Sequence, residues 1–136
     1  MSRINETVIF SNICYRSHPH HRNGANNKSQ WTITAMQEFE CFRRCLTENW
    51  IKEQIGWGLH FSDTSSVQYL GIDQNGTKQL FIAKFVGGQN WHGYPIDYQR
   101  CTDDIPDTEI LNKWLNLSIF PPTKIRKITK GQPCSL

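Results

Sequence analysis

Apolar residues recur every three or four positions from Ala35 through Phe39, Phe42 and Leu46 to Trp50. That spacing puts them on one face of an α-helix. Thr34 followed three residues later by Gln37 fits a capping box, in which each side chain satisfies a backbone N–H that the first turn leaves unpaired. Gly56 and Gly58 offer the next stop, so the pattern predicts a helix over residues 34–55. From Trp57 the period changes to two. It predicts a strand over 57–61, a turn over 62–66, a strand over 67–73 and a return strand over 78–86. The last two are joined through Asn75-Gly76, a strong hairpin signal. Residues 7–15 carry the β-branched and aromatic bias of a further strand, and 16–30 read as a polar, mobile loop.

The last third is helical again. Asp107 or Thr108 can cap a helix running to about Leu117, with Ile110, Leu111, Trp114 and Leu115 inward. Pro121-Pro122 opens a second helix ending near Lys130, with Gly131 just beyond it. Ile125 and Ile128 face inward and leave the basic side chains outward. The expected fold class is therefore α+β: an antiparallel sheet of three or four strands packed on one long helix, with a C-terminal helix pair.

Composition narrows the class without naming a function. The chain has 136 residues, 38% hydrophobic and 20% charged, with five Trp. This apolar mass suits one buried core, so a single domain over 1–136 is expected, with 1–6 and 131–136 as flexible ends. No apolar run approaches the roughly 18 residues that would span a bilayer, and residues 1–7 lack a secretory apolar stretch. A cytoplasmic protein with no membrane contact is the expectation. Its five cysteines, an odd number that cannot all pair within one chain, are expected to be reduced. No cofactor is expected.

Charge sharpens the picture because it is uneven. The net +3 divides into +3 over residues 1–30, −4 over 31–120 and +4 over 121–136. The terminal charge comes from Lys124, Arg126, Lys127 and Lys130, all on the second C-terminal helix. Clustered cations of this kind form a footprint for a nucleic-acid backbone, or otherwise a solvated end. The helix has only Arg126 to read guanine and no Asn or Gln to read adenine, so backbone contact is the expectation.

Four constellations could carry chemistry. The segment 87–97 reads as a Gly-rich loop presenting Asn90, Trp91, His92 and Tyr94 as binding residues, since aromatic loops at strand ends concentrate recognition. The competing reading has Trp91 and Tyr94 plugging the core. His60 and His92 with Lys84 could instead run metal-independent RNA cleavage, one His as base and the other as acid. Cys14, His18, Cys41 and Cys45 could supply four zinc ligands, although Cys41 and Cys45 lie within a helix rather than in a knuckle. The acidic run Asp97, Asp103, Asp104, Asp107 and Glu109 could hold Mg²⁺, but it also reads as helix caps. No hydrolase elbow, zincin or redox motif is present. The expected role is a non-enzymatic binding or regulatory module contacting a protein partner or nucleic-acid backbone, and the alternative is a small ribonuclease.

Overall fold

The computed structural model describes the backbone of residues 7–10 and all atoms of 12–25 and 27–136; the predicted flexible end 1–6 lies outside the described residues. The chain begins with strands β1 (Thr7–Phe10) and β2 (Ile13–Arg16), a short 3-10 turn (Pro19–His21) and β3 (Gln30–Trp31). Helix α1 (Ala35–Thr47) follows, then β4 (Ile51–Lys52), β5 (Ile55–Gly58), β6 (His60–Phe61), β7 (Val67–Gln68), β8 (Gly71–Ile72) and β9 (Gln79–Leu80). The two long strands β10 (Ile82–Val86) and β11 (Asn90–Ile96) precede helices α2 (Thr108–Asn116) and α3 (Pro122–Thr129). No helix among the described residues is long and apolar enough to cross a membrane.

The protein is mixed α+β, but its sheet is neither small nor purely antiparallel. A six-stranded sheet runs β1-β2-β11-β10-β5-β4, beside a three-stranded sheet β3-β8-β9 and the pair β6-β7. All its neighbours are antiparallel except β2 and β11, which run parallel with Cys14 opposite Asn90 and Tyr15 opposite Trp91. The three strands expected over 57–86 are distributed over all three sheets. Two predicted turns keep their partners: 62–66 joins β6 to β7, and Asn75-Gly76 joins β8 to β9. Residues 7–15 are a hairpin of two strands rather than one, turning at Asn12.

Helix α1 starts as predicted. Thr34 accepts from the Gln37 N–H and the Gln37 side chain accepts from the Thr34 N–H, so both halves of the capping box form. It ends eight residues earlier than expected. Asn49 takes the left-handed conformation, φ 57°, which Asn tolerates better than most residues. The Trp50 N–H then bonds the Cys45 carbonyl at 2.9 Å. Trp50 is still core, 1% exposed, but reaches it from a turn rather than from the helix. Phe39 and Phe42 meet Tyr15 of β2, and Phe42 also meets Phe85 of β10 and Trp91 of β11, with ring centroids 4.6–5.5 Å apart. At the other end Trp50, Trp114 and Phe120 join α1's exit to the C-terminal helices.

Those helices follow their sequence signals. The Asp107 side chain accepts from the Glu109 N–H at 2.9 Å to cap α2. Pro122 sits in the first turn of α3. Gly131, φ 67°, closes α3, with its N–H on the Ile128 carbonyl and that of Gln132 on the Lys127 carbonyl. Ile125 and Ile128 are buried as expected.

Candidate functional site

Residues 17–29, between β2 and β3, are poor in apolar side chains. One buried carboxylate anchors them. Glu38 of α1 is fully buried; its Oε1 accepts from Ser17 Oγ (2.9 Å), Arg22 Nε (3.0 Å) and Arg22 Nη2 (2.8 Å), and its Oε2 accepts from the Tyr15 hydroxyl. Arg22 also donates to the Ile33 carbonyl at 2.9 Å and lies 5.9 Å over the Trp31 ring. Burial pushes the Glu38 carboxyl above its ordinary range, against the opposing pull of Tyr15 and Arg22. At the far end of the segment, Ser29 Oγ donates to the Pro95 carbonyl at 2.6 Å. The polar segment is thereby folded over β11.

This places His18 and His21 beside His92. The His18 ring centroid lies 5.8 Å from that of His21 and 6.0 Å from that of His92, while His21 stacks on Tyr94 at 5.2 Å and 16°. The three histidines, Tyr94, Lys28 and Arg100 line an open cleft of about 530 Å³. Two acids of the same cleft are already matched: Asp97 with Lys78 at 2.7 Å and Asp104 with Lys84 at 3.1 Å. Lys28 and Arg100 are exposed and have no ion-pair partner among the described residues.

Hydrogen bonds fix two ring tautomers. His18 Nδ1 accepts from the His20 backbone N–H at 3.2 Å, so the neutral ring carries its proton on Nε2. His21 Nδ1 sits 2.8 Å from the Ser29 carbonyl, an obligate acceptor, so Nδ1 holds the proton and Nε2 the lone pair. Burial is the main reason that both titrate below 6.5. Neighbouring imidazoles and Lys28 push the same way, and for His21 the Ser29 hydrogen bond opposes.

The segment 87–97 is a strand rather than a loop; only residues 87–89 turn the β10–β11 hairpin. Its side chains alternate. Trp91 is 9% exposed, packed on Phe42, and Gly93 lies under Phe85. Half-buried His92 and Tyr94 face the cleft, and Asn90 is exposed at the strand's start. An ideal Cβ on Gly93 would come within 2.2 Å of the Phe85 ring. That glycine is therefore a packing requirement and not a sign of a mobile loop.

His60 does not join His92. It lines a separate cavity of about 420 Å³ with Gln37, Arg43 and Arg44, and burial lowers its pKa. Lys84, 8% exposed, is occupied by the Asp104 carboxylate and the Asp103 carbonyl, both at 3.1 Å. Of the proposed zinc ligands, Cys41 and Cys45 are buried in α1 with thiols pushed up to about 12, Cys14 is half-buried in β2, and His18 lines the cleft. Among the described residues, no group of three or more His, Cys, Asp or Glu is arranged to hold a metal ion. On α3, Arg126 and Lys127 are exposed and Lys124 is half-buried, and Lys130 just past its end is exposed; none has an ion-pair partner among the described residues.

Sequence reasoning had His18 and its neighbours as zinc ligands only. The signal that could have joined them to His92 was the shared alternation of residues 13–16 and 90–94, which permits a parallel pair but does not announce it. Comparisons with protein families, with characterised proteins and with solved structures find no match.

Proposed function

We propose that the protein is a small binding module for a nucleic-acid backbone, with the histidine-lined cleft as its principal contact and α3 as a second cationic surface. The observation that carries this reading is the charge of the cleft. Its acids Asp97 and Asp104 are neutralised by Lys78 and Lys84, which leaves Lys28 and Arg100 unmatched beside three imidazoles. Exposed cations held over a concave surface attract phosphates and release their counterions. Tyr94 gives one ring for base stacking at the same site, although His21 covers part of it. The reading also suits a reducing, cytoplasmic setting for five free cysteines, two of which are core.

Fluorescence anisotropy with a labelled single-stranded oligonucleotide, measured over a series of salt concentrations, tests it. Each phosphate contact on a single strand contributes about −0.7 to the slope of log K against log salt. The double variant Lys28→Ala, Arg100→Ala should reduce the slope by about 1.4 and weaken binding across sequences. The triple variant Lys124→Ala, Arg126→Ala, Lys127→Ala measures the share of α3. Salt-independent binding, or none, would defeat the nucleic-acid reading and leave a protein partner.

A further inference from the structure

We propose that the cleft cleaves RNA without a metal, with His21 as general base and His92 as general acid. This rests on the backbone-binding reading and adds a reaction to it. His21 has the arrangement that a base requires. Its Nδ1–H is tied to the Ser29 carbonyl, its ring is braced on Tyr94, and its free lone pair is on Nε2. His18 adjoins both reacting imidazoles, its ring centroid 5.8 Å from that of His21 and 6.0 Å from that of His92. With Nδ1 accepting from the backbone, its Nε2–H is left to donate to a phosphate oxygen. Lys28 and Arg100 add positive charge at the same opening. Burial and the surrounding cations hold His21 in the neutral, proton-accepting form at neutral pH.

The step balances without a co-reactant. His21 Nε2 takes the proton of a ribose 2′-hydroxyl, and the O2′ forms a bond to the adjacent phosphorus. The bond from phosphorus to O5′ of the next nucleotide breaks, and His92, entering protonated, gives its proton to that oxygen. The products are a 2′,3′-cyclic phosphate and a 5′-hydroxyl. His21 then holds the proton of the 2′-hydroxyl, and the proton that His92 lost is on the new 5′-hydroxyl. DNA lacks the 2′-hydroxyl and would be bound but not cut.

The test uses the whole protein with a labelled single-stranded RNA in EDTA, and in parallel the same sequence as 2′-O-methyl RNA to report binding alone. Expected are cleavage products ending in a cyclic phosphate, and a loss of about 10²–10⁴-fold in rate for His21→Ala and for His92→Gln. Both variants should still bind the 2′-O-methyl strand, and His60→Ala should cleave at the wild-type rate. Because His21 is half-buried, His92→Gln carries the result if His21→Ala misfolds by circular dichroism. Binding of the 2′-O-methyl strand with no cleavage of RNA overturns the catalytic inference and leaves the binding reading standing. So does cleavage that survives His92→Gln or is lost with His60→Ala. Failure to bind either strand overturns both.

Discussion

Replacing Glu38 should do more damage than replacing any surface charge, because its carboxylate is fully buried and receives four donors: Tyr15, Ser17 and two nitrogens of Arg22. Arg22 is itself only 11% exposed, so Glu38→Ala leaves a nearly buried guanidinium without its counter-charge and two hydroxyls without an acceptor. Breaking a buried ion pair from one side costs about 3–5 kcal/mol. In a domain of this size that lowers the melting temperature by roughly 10–20 °C. Glu38→Gln keeps an acceptor for Ser17 and Arg22 and can present its amide N–H to the Tyr15 oxygen. It loses only the charge assistance of those bonds, about 2 kcal/mol. Urea unfolding of wild type, both variants, Arg22→Met and the double variant Glu38→Ala, Arg22→Met measures the coupling directly. The double variant should recover much of the loss, because neither charge is left stranded. If Glu38→Ala costs under 1 kcal/mol, or if the two changes simply add, this network does not hold residues 17–29 in place.

Further outcomes follow from single features. Gly93→Ala would place a methyl 2.2 Å from Phe85 Cδ1 and 3.0 Å from the Lys84 carbonyl; a loss of about 2–3 kcal/mol in urea unfolding is expected, and a neutral variant would contradict the packing. Iodoacetamide at pH 8 should modify exposed Cys101 readily, while Cys41 and Cys45, buried and pushed up to about 12, react only once the protein unfolds; mass spectrometry of the modified peptides decides it. His18 and His21 titrate below their ordinary 6.5, chiefly through burial, with His92 and Lys28 adding to the effect. The unfolded chain therefore binds their protons first, and stability should fall as pH drops below about 6.5 and the difference in bound protons grows. Thermal melts between pH 7 and 5 should show that fall, reduced in His18→Ala, His21→Ala; the same slope in that variant would contradict the assignment.

Local chemistry was legible in the sequence, and long-range pairing was not. The capping box at Thr34 and Gln37, the Asp107 cap and the Pro122 and Gly131 boundaries depend on a few adjacent residues, and each forms in the structure. The end of α1 was misplaced because Trp50 keeps the helical spacing while Asn49, by adopting φ 57°, ends the helix before it. Strand β11 was hidden by Gly93 and Pro95, residues that usually argue against a strand. Gly93 is there for Phe85. Pro95 lies beyond Asn90 and Trp91, the residues that pair with β2, so its missing N–H removes no bond from that side. The candidate site depended on the parallel β2–β11 pair, which sets residues more than seventy positions apart side by side. His92 was read from its setting, but its companions are His18 and His21 rather than His60.

The most direct test is a pair of long-range ¹H–¹⁵N spectra of the histidine rings, one of the free protein and one with a single-stranded 2′-O-methyl RNA. The free protein should show His21 protonated at Nδ1 and His18 at Nε2. Addition of the strand should shift the rings of His18, His21 and His92 while His60 stays in place. Shifts confined to His60, unperturbed rings in the presence of bound strand, or the opposite tautomers at His18 and His21 would contradict the cleft as the site.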